Sequence, residues 1–378
     1  MKKIFYLVII LLILFEILNV YFIMPMPGSQ RMNSIDVAYF LYSWRCLFRI
    51  VFSLLILVSF LKTNWKRKWI PLIVMIILSP IVYIVNFKMS ADHMFLQSNK
   101  LVMADTSNNK VDLSRLIIGV EKNGFAKAYP IKFLGYHHQV FDSLNGEPMI
   151  VTYCTVCRTG RVYEPKVKGK FEKFRLVGMD HFNAMFEDAD TKSWWRQVNG
   201  EAIAGKLKGE HLPSVLSSQT SLQDWLQLHP NSLIMQPDEV DSENYVSENY
   251  ETGISKGTLT GTDSLSWKDK SWVIGIKINN HAKAYDWNKL ATEKIIHDRV
   301  DNTPVIILCS LDKKSFFAFE RNSMDDRFML QNDTITLNNN HYKLDGTALG
   351  AFASLKRISA YQEFWHSWRT FNPDTKVY

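Results

Sequence analysis

The hydrophobic pattern divides the chain at about residue 96. Before that point three long apolar runs stand out, 4–23, 46–61 and 69–87. Glu16 is the only charge in the first, and the third contains no charge. A helix needs roughly 20 apolar residues to cross a bilayer. The first and third runs meet that need as they stand, and the second meets it when extended back to residue 40. The pattern therefore predicts a membrane anchor over 1–96 with three transmembrane helices, about 4–23, 40–61 and 69–87. The first run also has the length of a signal peptide, but only Met24-Pro25-Met26-Pro27 follows it where a small-residue cleavage site belongs. It is expected to be retained.

After residue 96 the apolar stretches shorten and alternate. Residues 115–120 and 124–129 flank a Lys-Asn-Gly turn and read as a hairpin. Residues 148–154 read as a strand that 161–163 continues. Residues 221–228 read as a short helix with Trp225 and Leu228 on one face, stopped before Pro230. The fold class expected is α+β, rich in β.

The outer region repeats itself, which bears on architecture before anything else. Residues 118–129 (IGVEKNGFAKAY) read against 274–285 (IGIKINNHAKAY), an offset of 156. The same offset pairs Asp142 with Asp298, Pro148 with Pro304 and Val151 with Ile307. With gaps, 199–205 resembles 344–350 and 225–230 resembles 368–373. The organisation expected is a first repeat unit over 97–235, an acidic connecting strap over 236–267 (Glu248 and Glu251 among its acids) and a second repeat unit over 268–378. Two such units side by side suggest a pseudo-twofold arrangement, with their interface as a place for a site.

Charge changes the picture of the anchor. The net charge is +7, and residues 1–96 carry all of it, with ten Lys and Arg against three acids. Basicity confined to an apolar quarter speaks of topology, and no nucleic-acid partner is expected. Lys2, Lys3 and the basic loop at 62–68 belong in the cytoplasm by the positive-inside rule. Three spans then place residues 88–378 on the extracytoplasmic side of the plasma (inner) membrane. Arg31 and Arg45 fall on the outer side against that trend, and Arg45 and Arg49 near a span end can snorkel to the interface. Glu16 reads as a polar residue tolerated between packed helices.

Candidate chemistry centres on Cys154-Thr155-Val156-Cys157 at the end of a strand. Two cysteines at this spacing chelate one metal ion or form a disulfide. The second unit lacks the pair, since Cys309 and Ser310 align with Tyr153 and Cys154. His137 and His138 lie upstream, and His181 and Met185 downstream. Thiolates with His or Met suit copper(I) or zinc by ligand softness. Asp188, Thr191, Ser193, Trp195 and Gln197 follow, able either to brace such ligands or to serve as turn and core residues. No phosphate loop, His-Glu-x-x-His helix or nucleophile elbow is present.

The block at 119–129, His138-Gln-Val-Phe-Asp142, Pro148, 151–157 and the Asp188-x-x-Thr191-x-Ser193-x-Trp195-x-Gln197 run resembles the family called domain of unknown function 3179, over roughly 112–378. Its usual block looks like Thr-Tyr-Cys-Pro-Leu-Cys-Gly, so Thr155, Val156 and Arg158 depart from it. The resemblance favours His138 over His137 as a third ligand and implies no established reaction. The function expected is metal binding, copper or zinc, through Cys154, Cys157 and His138, completed by Met185 or His181. Asp188, Thr191, Ser193, Trp195 and Gln197 would stand behind them. A thiol–disulfide oxidoreductase using Cys154 and Cys157, and a structural or interaction module with an inert disulfide, are the alternatives. Whether the protein is an enzyme stays open, as do its protein partners.

Overall fold

A computed structural model describes residues 1–98, 100–246, 251 and 258–378. Residues 247–250 and 252–257 of the strap read over 236–267, Glu248 included, lie outside the described residues. The architecture is mixed α+β, with many small sheets. The chain forms two compact units, Met1–Leu96 with Glu172–His211, and Gln97–Phe171 with Leu212–Tyr378.

In the first unit, Lys2–Tyr21 and Trp69–Lys88 are each long and apolar enough to cross a membrane. The middle apolar run is not one straight helix. Ile35–Ser43 and Arg45–Leu61 meet with a bend of 58°, so only a bent pair stands where a third span was expected. No Pro or Gly marks the bend. Instead Arg45 turns its guanidinium back onto the Tyr42 carbonyl and lies over the Tyr42 ring at 3.7 Å. A side chain competing for a helix carbonyl is a recognised cause of a kink.

Along Lys2–Tyr21, Phe5, Val8, Leu12, Phe15 and Asn19 are buried at helical spacing. The upper part of that stripe packs on Phe52, Ile56, Phe60 and Leu78. Glu16 lies on it too, and Arg49 donates to both of its oxygens at 2.8 and 2.9 Å. An ionised group among apolar helices is costly unless paired in this way. Residues 172–211 add a four-stranded antiparallel sheet in the order Ala202–Ala204, Trp194–Arg196, Asn183–Asp188, Phe174–Asp180. Its apolar face (Val177, Met185, Trp194, Ile203) takes Ile23 and Ala38 from the helical part. Gly178 permits that approach: a Cβ there would come within 2.4 Å of the Ile23 carbonyl.

The second unit contains two arrangements of the same elements. Leu116–Lys122 pairs with Phe125–Pro130, the helix Ile131–His137 follows, and Gln139–Leu144, Glu147–Cys154 and Thr159–Tyr163 form a three-stranded antiparallel sheet. Trp272–Ile278 pairs with His281–Asp286, the helix Trp287–Glu293 follows, and Ile295–Val300, Thr303–Cys309 and Phe316–Glu320 form another. Each helix ends in a left-handed residue, His138 at φ 61° and Lys294 at φ 66°. Each first hairpin is flanked by an antiparallel strand that leads into a short helix, Ser218–Ser221 into Leu222–Leu228 and Ala360–Phe364 into Trp365–Phe371. Trp225 and Trp368 of those helices lie over Gly119 and Gly275, where a Cβ would meet the indoles at 2.4 and 2.1 Å. Only a missing side chain permits either packing.

Candidate functional site

Cys154 ends its strand opposite Thr159, so residues 155–158 make the turn between two strands. Arg158 closes that turn in the left-handed region at φ 58°. Cys154, Cys157 and Arg158 are all 0% exposed. The two thiols are in hydrogen-bonding contact and are not joined in a disulfide. Burial pushes the Cys157 thiol well above its ordinary value, and the hydrogen bond and charge of Cys154 push it the same way. A hydrogen bond with Ser367 opposes them.

The walls of this site come from the far end of the chain, within the same compact unit. Phe364 N donates to the Cys157 carbonyl at 3.0 Å. Lys270 Nζ donates to the Val156 carbonyl at 2.7 Å and to the Leu259 carbonyl, and lies 4.5 Å over the Phe364 ring. Its charge interacts with both cysteines. No carboxylate among the described residues stands within ion-pair distance of it. Burial draws the Lys270 ammonium down to about 8. His366 Nε2 lies 3.2 Å from the Val156 carbonyl and 3.3 Å from Lys270 Nζ. Burial, followed by the Lys270 charge, draws this imidazole down to about 4.

Behind the sulfurs stands a buried ion pair. Arg161 Nη2 donates to Glu363 Oε1 at 2.6 Å, and Ser367 Oγ donates to Glu363 Oε2 at 2.6 Å. Arg158 stacks on Trp272 at 3.6 Å, and its Nη1 donates to Gln362 Oε1. Its Nη2 has no hydrogen-bond partner among the described residues. The cysteine turn is thus surrounded by Lys270, Gln362, Glu363, His366 and Ser367, none of which local sequence reasoning singled out. They lie more than a hundred residues from the cysteines, and no spacing in the chain links them.

The expected ligands divide. His138 is buried at the end of Ile131–His137, with Nδ1 3.1 Å from the Tyr136 carbonyl and its own carbonyl accepting from Tyr153 N at 2.9 Å. Burial draws it down to about 4. His137 Nε2 lies 2.7 Å from Tyr245 Oη. Met185 and His181 belong to the other compact unit. Met185 is enclosed by Ile23, Val177, Trp194 and Ala204, an apolar setting. His181 Nδ1 pairs with Asp180 at 2.6 Å, and Asp180 in turn takes Arg196. Among the described residues no group of three or more His, Cys, Asp or Glu side chains is placed to hold a metal ion.

The polar run of that unit is occupied with itself. Asp188 accepts from Thr191 N, Thr191 Oγ1, Ser193 N and Trp195 Nε1, between 2.5 and 3.0 Å. Leu207 N donates to Ser193 Oγ at 3.1 Å, and Asn183 Nδ2 donates to Gln197 Oε1 at 3.0 Å. These bonds fix the turn at 188–193 and tie Asn183 to Gln197 across the sheet.

A family model described as a protein of unknown function (DUF3179) matches residues 96–375. The chain belongs to that family. Neither a curated protein nor a solved structure matches it.

Proposed function

We propose that this member of a family without an assigned reaction is a membrane-anchored copper(I)-binding protein, with Cys154 and Cys157 as the ligands and Lys270 as the compensating charge. The observation that carries the reading is Lys270. A largely buried ammonium whose partners are two carbonyls, the His366 imidazole and the Phe364 ring, with no carboxylate in reach among the described residues, is poorly compensated beside two neutral thiols, and well compensated once the sulfurs carry charge. Copper(I) is soft and prefers thiolates. Binding releases the two thiol protons and leaves a bis-thiolate copper complex of charge −1, which the ammonium neutralises. Zinc would ask for four ligands, so copper is the metal proposed.

The complete burial of both sulfurs also favours a bound ion over a nucleophile, because reactive cysteines sit in partly exposed surroundings. A thiol–disulfide couple is the second reading, favoured by the contact between the thiols. The matching elements of the second unit, together with the sequence offset, support a duplication in which one copy kept the cysteine pair. The apolar helices and the basic loop at 62–68 support three spans in the plasma (inner) membrane, with residues 88–378 outside. Protease added to intact spheroplasts should then digest the outer region, and full protection would reverse that topology.

The copper reading is tested on the full-length protein, purified reduced in detergent without a metal-affinity tag. It is titrated anaerobically with copper(I) against a chelating competitor. About one copper per chain, lost in Cys154→Ser/Cys157→Ser, is expected. Equal copper in both proteins overturns the reading. No copper in either moves the site to the thiol–disulfide couple if a redox titration finds a reversible two-electron step, and to an inert structural module if it finds none.

A further inference from the structure

In the compact unit that holds the cysteines, the chain enters its two first hairpins by the same turn. Arg115 N donates to the Asp112 carbonyl at 3.1 Å, and Ser271 N to the Lys268 carbonyl at 2.9 Å. Leu222 N donates to the Arg115 carbonyl at 2.8 Å, and Trp365 N to the Ser271 carbonyl at 2.9 Å. Asp112 and Lys268 stand 156 residues apart, as do Arg115 and Ser271. Upstream of this turn the two paths part. Met103–Ala104 lies antiparallel along the edge of Leu233–Met235, with Met103 opposite Met235 and Ala104 opposite Ile234. Gln236 N donates to the Val102 carbonyl at 2.8 Å and extends that pairing.

The counterpart of that edge is Lys376–Val377. It pairs in parallel with His281–Asp286, as Leu233–Met235 does with Phe125–Pro130. Lys376–Val377 ends its sheet, and among the described residues no strand lies on its outer side. An open edge is a ready place for an extended segment. The residue 156 positions after Met103 is Leu259, and it sits elsewhere. Its carbonyl accepts from Lys270 Nζ, which also donates to the Val156 carbonyl of the cysteine turn at 2.7 Å. A single ammonium thus ties Leu259 to the turn. The same number of residues separates Leu259 from Lys268 as separates Met103 from Asp112, so the chain is long enough for either course.

We infer that residues 259–263 have two seats, one at the cysteine turn, held by Lys270, and one on the open edge of Lys376–Val377. In the second seat Leu259 stands opposite Tyr378 and Thr260 opposite Val377, the register that Met103 and Ala104 show in the other arrangement. For its trigger the switch rests on the copper reading. Both sulfurs are 0% exposed, so an ion reaches them only when a wall moves. Lys270 is a wall whose outer anchor is one neutral carbonyl on a loop. A bond from an ammonium to a charged acceptor is stronger than one to a carbonyl. Once the sulfurs carry charge, Lys270 turns to them and gives up Leu259. The metal-free chain visits the second seat, and copper shifts the population toward it.

The test follows hydrogen exchange at the Val377 amide in the full-length protein, reduced and in detergent. Tyr378 N donates inward to the Ala284 carbonyl at 3.0 Å, so strand alternation points the Val377 N–H outward, where the seated segment protects it. One copper(I) per chain should slow this exchange at least about fivefold. Lys270→Met, which frees Leu259 without any metal, should slow it as well. The Ile234 amide, whose edge Met103–Ala104 already covers, should stay slow throughout and reports that the fold is intact. Unchanged Val377 exchange in folded Lys270→Met, or in wild type carrying copper, overturns the proposal. A second measurement does not need Lys270→Met to fold. Thr260→Cys/Val377→Cys and Thr260→Cys/Lys376→Cys are oxidised with diamide and their cross-links mapped by mass spectrometry. The first pair, opposite each other in the second seat, should cross-link at least about tenfold faster. Equal rates overturn the proposal. Wild type that takes up no copper fails the copper reading, and Lys270→Met and the cross-linking rates then decide on the two seats alone.

Discussion

The turn after Glu147–Cys154 and the turn after Thr303–Cys309 each join the second and third strands of a three-stranded sheet, and they are built from different chemistry. In the second, Ser310 Oγ donates to Asp312 Oδ1 at 2.5 Å and accepts from Ser315 N at 3.1 Å. Asp312 Oδ1 also accepts from Lys314 N at 2.8 Å, and Leu311 N donates to Asp333 at 3.0 Å. This is ordinary turn chemistry, local and satisfied. The first turn buries two thiols and a guanidinium instead. Both turns meet the start of a short helix from the other half: Phe364 N on the Cys157 carbonyl, and Ser221 N on Ser315 Oγ at 3.0 Å. The difference teaches that neither a cysteine pair nor a buried guanidinium is needed to make this turn or dock it; on the second side the buried Asp224 carboxylate accepts from Ser315 Oγ at 2.5 Å. Lys294 Nζ donates to the Ser310 carbonyl at 2.7 Å, so a lysine on the turn is common to both sides. A fully buried guanidinium, which generally lowers stability unless something compensates it, stands in the first turn as Arg158, and that argues for a use other than folding.

The largest effect should come from breaking the ion pair that only the first turn has. Arg161→Met would strand the fully buried Glu363 carboxylate, at a cost of about 3–5 kcal/mol. The residue at the matching position of the other sheet is Phe317, which packs with Ile306, Leu308 and Phe319. Phe317→Leu should cost about 1 kcal/mol. Denaturant unfolding of the purified protein measures both. Equal losses would mean that the Arg161 pair is no more than core packing, and the contrast between the turns would shrink to the cysteines.

Lys270→Met comes next. Loss of the ammonium should weaken copper(I) binding about tenfold at neutral pH, or ~1.4 kcal/mol, by removing a charge beside the thiolates. It should leave the stoichiometry unchanged. The pH dependence has a definite sign. Burial lowers Lys270 from 10.5 to about 8 in the folded chain, so between these values the unfolded chain binds more protons. Stability due to this residue therefore rises with pH across that window, by about 2–3 kcal/mol. Unfolding free energies from pH 8 to 10.5 should climb in the wild type relative to Lys270→Met. A constant difference would place Lys270 in water rather than against the sulfurs.

Local pattern explains what the sequence revealed and what it hid. The hairpin expected over 115–129 forms as Leu116–Lys122 and Phe125–Pro130, and the helix expected over 221–228 forms as Leu222–Leu228. Turn residues and alternation act over a few positions, so they can be read from one strand of text. Cys154 and Cys157 stand out for the same reason, at a strand end. Lys270 and Glu363 could not be found that way, because only tertiary folding brings them to residue 157. The bend between Ser43 and Arg45 carries no Pro or Gly to announce it. Met185 reads as a soft ligand from its type alone, yet its neighbours in the fold are apolar, the usual surroundings of a methionine that fills a core. Residues 172–211 group with Met1–Leu96 through that same apolar face, which no periodicity in the chain displays.

The smallest effect on copper should be that of His138. This residue occupies the left-handed position that Lys294 occupies in the other half, and its backbone is engaged on both sides, with His138 N donating to the Leu134 carbonyl at 2.8 Å. Its role is that of a helix end, which a lysine fills equally well in the matching place. Asparagine tolerates the same backbone conformation. His138→Asn should therefore change copper(I) affinity by less than about twofold and should alter acid stability instead. Burial lowers the imidazole from 6.5 to about 4, so the unfolded chain binds more protons between these values. Stability from this residue is fully present above pH 6.5 and is lost as pH falls to 4, about 3 kcal/mol in all. His366, also drawn down to about 4, adds a similar slope. His229 and His297, also drawn down by burial, contribute in the same direction, so the variant should lose part of the acid-side dependence, read from unfolding free energies between pH 4 and 7. A tenfold loss of copper affinity in His138→Asn would restore the histidine as a ligand, and with it the three-ligand centre that the sequence suggested.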